Sequence, residues 1–180
     1  KLSGATLIIT HECYASSIEG GKILIGRAST SDIVGTFAAH YPDVLPEESD
    51  TENDCVVYAV RGDTLVISGS NDRSVYYSVC HLLQTEFGVG FYWDRDVFEK
   101  KRSLSLPDGL TLQERSEFKM RHTIGQWVYN YGAFLNEAER REELDKYARN
   151  KINSYRLYSW NSYARKKTFI ELGLTGIEIT

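Results

Sequence analysis

Five residues in the last third of the chain have side chains of the types that bind sugars. A sugar site needs aromatic faces against the apolar side of a pyranose ring and planar polar groups for its hydroxyls. The sequence offers such groups in two short stretches, at Arg121, Gln126, Trp127, Trp160 and Asn161. The tryptophans also suit a packed core, and Arg121 also suits an ion pair with a structural carboxylate. Both interpretations stay open.

No pair of carboxyl groups suited to cleaving a glycosidic bond stands out. That reaction generally needs one protonated acid and one base or nucleophile, roughly 5 to 9.5 Å apart. The acidic residues of this region cluster at positions 137–145, on a predicted charged helix whose solvent face they form. We therefore predict no catalytic residue within this chain.

Metal and cofactor motifs are weak. Cys80 and His81 are too few for a closed zinc site, and neighbours on a helix point in different directions. The acidic loop Asp43–Asp54 lacks the alternation and the glycine of a calcium loop, so we predict a solvated insertion. The stretch Gly88–Gly90 precedes a strand and not a helix, unlike a dinucleotide loop. We predict no metal and no cofactor.

Composition limits the classes of protein. The chain has 180 residues, is 42% hydrophobic and 26% charged, and carries a formal net charge of −4. An acidic chain repels phosphates, which argues against a nucleic-acid partner. No run approaches the roughly 18 apolar residues that span a bilayer, so no membrane span is predicted.

Strands and helices alternate in the last third. The pattern predicts, in order, a strand, a charged helix, a strand and a short helix at Met120–Val128, Asn136–Asn150, Ile152–Trp160 and Arg165–Leu172. Asn136 and Glu139 form a capping pair at the start of the first helix. This order is typical of a parallel α/β unit. Only 62 residues run from Lys119 to Thr180, whereas a (β/α)₈ barrel needs on the order of 250, so we predict a barrel that is truncated early.

The first two thirds are organised around residues 67–93. Asn71 or Asp72 caps a helix, and Gly88 ends it in a left-handed conformation. Its buried face is predicted to comprise Val75, Val79, Leu82, Leu83 and Phe87. An aromatic strand, Val89–Trp93, follows. A helix with such a face needs a sheet to cover.

The neighbouring segments supply that sheet. Further strands are predicted at Ala5–Thr10, Lys22–Gly26, Cys55–Val60 and Asp63–Ser68, the last two as a hairpin. Thr30 or Ser31 caps a second helix. Residues 94–118 are predicted to be an extended connector. The first part is thus a mixed sheet with two helices packed on it.

These segments carry a resemblance to known enzymes. Gly26, the Ser68-Gly69 pair, the helix stretch Tyr76–Leu83 and the return Phe87–Tyr92 resemble the small α/β domain that precedes the catalytic barrel in several glycoside hydrolases. Family 20 β-hexosaminidases, family 67 α-glucuronidases and family 89 α-N-acetylglucosaminidases share that domain. Ser78 stands near a position where those families have glycine.

The resemblance continues to the end of the chain. Glu117–His122 is similar to the first barrel strand of these families, and Asp145–Asn153 with Tyr158–Asn161 is similar to the first helix and second strand. The phrase at Ile170–Ile179 is most similar to family 89. By resemblance to family 20, Arg121 would bind hydroxyls of the terminal sugar, and Trp160 and Asn161 would line the same pocket. The catalytic carboxylates would come from later strands.

The sequence therefore predicts an α/β (α+β) fold with two parts. Residues 1–115 would be an accessory domain, and residues 116–180 the beginning of a catalytic (β/α)₈ barrel. The resemblance implies that the parent protein would be a secreted or periplasmic glycoside hydrolase, exo-acting on N-acetylhexosaminides or uronides of a glycan or oligosaccharide, while this chain alone would be inactive. The alternative is a stand-alone, non-catalytic module that binds carbohydrate or protein.

Overall fold

The computed structural model describes residues 3–4, 6–17, 20–50, 52–100, 103–124 and 136–156. Within these ranges the strands form one four-stranded sheet and two separate two-stranded sheets. The α-helices are α1 (Asp32–His40), α2 (Asp72–Thr85) and α3 (Glu137–Arg149). The β-strands are β1 (Lys22–Ile25), β2 (Cys55–Arg61), β3 (Thr64–Gly69), β4 (Gly90–Phe91), β5 (Asp96–Val97), β6 (Thr111–Arg115), β7 (His122–Ile124) and β8 (Ser154–Arg156).

The main sheet is mixed and has the order β1-β3-β2-β6. Strand β1 runs parallel to β3, whereas β2 runs antiparallel to both β3 and β6. The predicted hairpin between β2 and β3 is confirmed, and its turn residue Gly62 has a φ of 58°, a conformation that glycine adopts without steric cost.

Helices cover both faces of this sheet. Helix α1 packs against Ala59 and Val66, and helix α2 packs against Tyr58 and Ile67 through Leu82. The central strand β3 is therefore buried on both sides. The prediction of a mixed sheet with two helices on it is confirmed, and these elements make three layers.

Helix α2 begins with a complete capping box. Asn71 accepts from the backbone N–H of Ser74 (2.9 Å), and the Ser74 hydroxyl accepts from the backbone N–H of Asn71 (2.8 Å). The helix also lies very close to β3, because a Cβ added at Gly69 would stand 2.4 Å from Ser74 Oγ. Ser78, near a family glycine position, bonds directly to the sheet: its Oγ accepts from the N–H of Val57 (3.0 Å).

Two predicted strands differ in the structure. Residues 6–10 of the predicted strand Ala5–Thr10 are irregular and exposed, so that prediction is wrong there. The fourth place in the sheet belongs instead to β6, which lies within the predicted connector. Its burial pattern is almost entirely exposed. Its pairing with β2 is a tertiary contact that local sequence does not encode.

The aromatic return is also shorter than predicted. Of Val89–Trp93, only Gly90 and Phe91 are paired, and they pair with β5 outside the main sheet. Helix α2 ends at Thr85, with Glu86 as its C-cap, while Gly88 takes its positive φ of 68° after the helix has ended. The result is a small β4–β5 hairpin beside the sheet.

The last described part is a strand–helix–strand unit. Strands β7 and β8 are parallel neighbours, and α3 lies between them in sequence. The predicted capping pair of Asn136 and Glu139 is confirmed. The predicted helix Arg165–Leu172 lies outside the described residues, and no closed barrel is formed by the described ones. Among the described helices, none has the length and apolar character needed to cross a membrane.

Candidate functional site

A buried carboxylate lies where the main sheet meets the β7–α3–β8 unit. Asp54, directly before β2, is 2% exposed. It accepts hydrogen bonds from Arg73 (2.8 Å), Asn71 (2.9 Å), Asn153 (3.2 Å) and Arg121. Asn71 and Arg73 lie at the start of α2, while Arg121 and Asn153 directly precede β7 and β8. We call these five residues the Asp54 junction.

Local structure places each member of the Asp54 junction. The Asn71 side chain caps α2 through its oxygen, which leaves its amide N–H to donate to Asp54. The Asp54 carbonyl accepts from the N–H of Ser116 (2.8 Å), so the chain after β6 is held beside it. Asn153 accepts from the backbone N–H of Arg121 (2.7 Å). The starts of β7 and β8 are thereby bonded to each other and to the sheet.

The Asp54 carboxylate is stabilised in its ionised form. Burial would by itself raise its pKa, but the hydrogen bonds from Arg73, Arg121 and Asn71 outweigh that effect and hold the pKa at about 2. The same pairing raises the pKa of the Arg73 guanidinium. Removal of a partner from such a buried, hydrogen-bonded ion pair leaves a charge without its counter-charge.

Arg121 uses its whole guanidinium on protein partners. Its Nε donates to the carbonyl of Lys151 (2.5 Å), and Nη1 donates to the Ser116 hydroxyl and the Phe118 carbonyl (both 3.0 Å). The group also lies 5.5 Å from the ring centroid of Tyr77. These contacts are those of a positioning residue. Its predicted sugar contact stays a prediction.

The direction of the strands bears on that role. Arg121 stands at the amino end of β7, whereas β/α enzymes assemble their sites at the carboxyl ends of the strands. The carboxyl ends of β7 and β8 lead to Gln126, Trp127, Trp160 and Asn161. These four predicted sugar-binding residues lie outside the described residues, and the structure neither gathers nor separates them.

The turn after α3 forms a second contact with the sheet. Lys151 has a φ of 62°, and the N–H groups of Lys151 and Ile152 donate to the carbonyls of Ala148 (2.9 Å) and Tyr147 (3.0 Å). These two hydrogen bonds form a Schellman motif, which normally has glycine at the left-handed position. With lysine there, the turn presents a carbonyl to Arg121 and an amine toward α2.

That amine bonds to an imidazole. Lys151 Nζ contacts Nδ1 of His81 on α2, and His81 Nε2 lies 3.6 Å from a carboxylate oxygen of Glu114 on β6. Burial lowers the pKa of His81, and the positive charge of Lys151 lowers it further. Burial also lowers the pKa of Lys151. The cluster therefore favours an uncharged imidazole that accepts from the lysine.

The β4–β5 hairpin and the residues beside it also contact α3. Trp93 packs on Tyr147 with ring centroids 5.6 Å apart, and Arg149 pairs with Asp96 at 2.9 Å. The Asn150 side chain donates to the carbonyl of Phe91 (3.2 Å). The aromatic segment, predicted as a sheet strand, thus contacts the second unit instead.

A cleft of about 310 Å³ opens between α2 and α3. Its walls include Tyr76 and Tyr77 from α2, Leu144 and Tyr147 from α3, and Asn153 of the Asp54 junction. Tyr76 and Leu144 are about two fifths exposed, while Tyr77 is buried and donates its hydroxyl to the carbonyl of Ile152 (3.2 Å). The cleft thus combines exposed apolar surface with a few polar groups.

Metal-binding geometry is not found in the described part of the chain, where no group of three or more ligand-type side chains is assembled. In the acidic loop, Glu48 accepts from the hydroxyl and N–H of Ser29, and Asp50 lies 3.6 Å from Arg27. The loop carboxylates therefore bind neighbouring protein groups. Cys55 and Cys80 are free thiols and are buried.

Sequence patterns predict few of the contacts in the Asp54 junction. They group Asp54 with the acidic loop and do not single out Arg73 or Asn153. One sequence signal is present: Asp54 stands directly before the apolar predicted strand Cys55–Val60, where an unpaired carboxylate would be costly. The open structural interpretation of Arg121, an ion pair with a carboxylate, is the arrangement observed.

Comparison with known proteins gives a likeness in fold. No family model and no curated protein matches the chain. A solved structure of a family 89 glycoside hydrolase from Clostridium perfringens, bound to 2-acetamido-1,2-dideoxynojirmycin, matches with a TM-score of 0.53 and 17% identity over 79% of this chain. A second, bound to its substrate GlcNAc-alpha-1,4-galactose, matches with a TM-score of 0.50 and 17% identity over 69% of it. The chain spans 17% and 15% of those proteins, respectively. Its fold is therefore similar to a small part of a family 89 glycoside hydrolase.

Proposed function

We propose that this chain is the N-terminal part of a glycoside hydrolase related in fold to family 89. Residues 1–115 would be an accessory α/β domain, and residues 116–180 the first β/α units of a catalytic barrel. The role of the accessory domain is structural, because it buries and orients the start of the barrel. The parent enzyme acts from the chain end of glycans on N-acetylhexosaminides or uronides, in a secreted or periplasmic setting.

One observation carries this proposal. Strands β7 and β8 form their own parallel sheet, separate from the main sheet, yet their first residues are tied to it by the buried carboxylate of Asp54. A parallel pair with a helix between its strands is the repeating unit of an α/β barrel. A second unit that is distinct but hydrogen-bonded to the main sheet is what an accessory domain requires.

We assign the catalytic step to other parts of the parent enzyme. The catalytic carboxylates belong to later strands, and the sugar contacts of this chain are proposed at Gln126, Trp127, Trp160 and Asn161. Arg121 would contribute a sugar contact only in addition to its pairing with Asp54. No metal or cofactor enters the proposed reaction, since glycoside hydrolysis proceeds with two carboxyl groups.

The first test compares two lengths of the protein. Hydrolysis of aryl glycosides of N-acetylglucosamine and glucuronic acid is measured for this 180-residue chain and for the natural full-length product. We expect activity only in the longer protein, and the preferred glycoside identifies the sugar. Activity in the shorter chain overturns the proposal. If neither protein hydrolyses these glycosides, the alternative of a binding module is favoured.

That alternative function is a non-catalytic carbohydrate-binding module. It is favoured by the α2–α3 cleft, whose walls include the rings of Tyr76 and Tyr147. Calorimetric titration of the chain with N-acetylglucosaminyl disaccharides tests it. Saturable binding that is lost in Tyr76→Ala, with unchanged thermal stability, would establish the module. Absence of a heat of binding at millimolar disaccharide would rule out the carbohydrate-binding module.

A further inference from the structure

The parallel strands of this protein pair through a regular pattern of backbone hydrogen bonds. In β1, Lys22 lies opposite Thr64 of β3, and its N–H donates to the carbonyl of Asp63 (3.0 Å), the residue before its opposite neighbour. The strand carbonyl in such a pair accepts from the residue after that neighbour. Each step of a parallel ladder therefore consists of one donated and one accepted bond, which flank the opposite residue.

One step of the β7–β8 ladder is made by a side chain. Asn153 donates from Nδ2 to the carbonyl of Lys119 (2.8 Å) and accepts at Oδ1 from the N–H of Arg121 (2.7 Å). Lys119 and Arg121 flank Met120, so the Asn153 amide occupies the place of a peptide group opposite Met120. The next step is made by the backbone, because the Ser154 N–H donates to the carbonyl of Arg121 (3.1 Å).

The backbone groups that would otherwise make this step are bonded elsewhere. Continued back from its first pair, the register of β7 and β8 places Ile152 opposite Met120. The Ile152 N–H donates to the carbonyl of Tyr147 (3.0 Å) at the end of α3, and the Ile152 carbonyl accepts from the hydroxyl of Tyr77 (3.2 Å). The turn after α3 thus removes one backbone step from the ladder, and the side chain of Asn153 replaces it.

The asparagine amide has the groups that this step requires. A peptide group offers a donor and an acceptor in one plane, and an asparagine side chain offers the same pair with one N–H to spare. The Nδ2 group of Asn153 also donates to the buried carboxylate of Asp54 (3.2 Å). Its oxygen and its nitrogen are therefore both bonded, which restricts the side chain to one orientation. An aspartate here would lack the donor and would place a second negative charge beside Asp54.

We propose that Asn153 is a positioning residue that sets the register of β8 on β7, and thereby the placement of the sugar contacts that follow these strands. The effect on the sugar contacts rests on the proposed function, in which β7 and β8 lead to Trp127 and Trp160. A shift of register by one residue turns every side chain of a strand to the other face. Asn153 itself lies at the amino ends of the strands, so it acts through the strands and not by touching the sugar.

Two alanine variants separate this role from a general loss of hydrogen bonds. Asn153→Ala removes both bonds of the side-chain step. Asn150→Ala is the matched control, because the Asn150 side chain also donates to two carbonyls, those of Phe91 (3.2 Å) and Lys146 (2.9 Å), but it does so away from β7. Both variants are compared with the unmodified protein.

The register is measured in the 180-residue chain by nuclear magnetic resonance. Overhauser contacts between the strands identify the opposite residues, and hydrogen exchange reports the Arg121 amide. We expect His122 opposite Ser154 in the unmodified protein and in Asn150→Ala. In Asn153→Ala we expect this pairing to shift or disappear and the Arg121 amide to exchange about 10-fold faster, as for the loss of one hydrogen bond. Retention of the pairing and of the slow exchange in Asn153→Ala overturns the proposal.

A second measurement decides the question if Asn153→Ala does not fold. In the unmodified protein the side-chain amide protons of Asn153 should exchange slowly, because both bonds of Nδ2 are made inside the structure. Rapid exchange of these protons, or of the Arg121 amide, overturns the proposal without any variant.

The effect on the sugar contacts is measured in the natural full-length product, with the aryl glycoside that it hydrolyses best. At a temperature where both variants are folded, we expect Asn153→Ala to lower kcat/KM by roughly 10- to 100-fold, chiefly through a raised KM, since small misplacements of binding groups have effects of this size. Asn150→Ala should leave kcat/KM unchanged. Equal values for the two variants overturn the positioning role, while the proposed function stands. If the unmodified full-length product is inactive, the proposed function fails, and the register measured in the 180-residue chain still decides whether Asn153 sets it.

Discussion

The guanidinium of Arg121 binds the buried carboxylate of Asp54 across 67 residues of sequence. Asp54 begins the central hairpin of the main sheet, and Arg121 begins the strand–helix–strand unit. The pair therefore sets the position of the second unit on the first.

Asp54→Asn is expected to destabilise the protein strongly. The substitution keeps the shape of the side chain but leaves the guanidinium groups of Arg73 and Arg121 without their buried counter-charge. Breaking such a pair costs about 3 to 5 kcal/mol. Urea denaturation followed by circular dichroism measures this loss. Asp50→Asn is the matched control, because that side chain is 79% exposed and should change stability by less than about 0.5 kcal/mol. Equal effects of the two substitutions would contradict the role of the junction.

Acid should release the same contact. The pKa of Asp54 is about 2 in the folded protein against 3.8 for an ordinary aspartate. A carboxyl group with a lowered pKa contributes stability that is complete above pH 3.8 and is lost as the pH falls toward 2. The contribution is about 2 kcal/mol. The free energy of unfolding of Asp54→Asn, measured over this range, should lack that component. A parallel pH profile of variant and unmodified protein would refute the assignment.

His81 should produce a separate pH dependence at milder acidity. Its pKa is lowered below the ordinary 6.5 by burial and by Lys151, although Glu114 and Glu86 oppose the shift. Between the lowered value and 6.5 the unfolded chain binds more protons, so this stability is complete above pH 6.5 and declines as the pH falls. The decline is at most about 1.4 kcal/mol per pH unit. His81→Gln stays neutral at every pH and should abolish the decline in denaturation experiments. Its persistence in that variant would place the titrating group elsewhere.

Arg121→Lys distinguishes positioning from sugar binding. Lysine keeps the charge but not the fork that reaches Phe118 and Ser116, so we expect a loss of about 1 to 3 kcal/mol in unfolding free energy. Arg141→Lys on the exposed side of α3 should change it by less than about 0.5 kcal/mol. In the full-length protein the same variant gives the second readout. A raised KM with unchanged melting temperature would support the sugar contact and not the positioning role.

Gly69→Ala should separate α2 from the sheet. The added Cβ would lie 2.4 Å from Ser74 Oγ and 2.7 Å from the backbone nitrogen of Val75, so the helix has to move. Overpacking of this kind costs about 1 to 3 kcal/mol. At Gly21 the added Cβ would meet only the carbonyl of Asp63, at 3.3 Å. A thermal melt in which Gly21→Ala is as damaging as Gly69→Ala would show that the close approach is unimportant.

Elements with strong local signals are predictable from sequence. The cap at Asn71, the hairpin at Gly62 and the capping box of Asn136 are each set by residues within one turn of each other. The identity of the edge strands of the main sheet is not predictable from local sequence. Strand β6 has an exposed pattern and forms because β2 needs a second neighbour, while Thr6–Thr10 has a strong strand pattern and no strand partner in the described part of its own chain.

The candidate site is less predictable for the same physical reason. Arg121 is recognisable as a planar polar group, but its partner Asp54 stands in an acidic loop that offers many carboxylates. Only the fold selects the one that is buried. A residue type states which bonds are chemically possible, and the assembled structure decides which of them are made.

The composition of the Asp54 junction also implies an order of assembly. Asn71 and Arg73 follow Asp54 closely in sequence and belong to the helix that packs on the same sheet, so they can bind it as soon as the main sheet is complete at β6. Arg121 and Asn153 leave the ribosome later. Since domains fold largely as units during synthesis, the main sheet with its helices would already hold the Asp54 carboxylate with two of its four donors. The strand–helix–strand unit would then dock by supplying the other two.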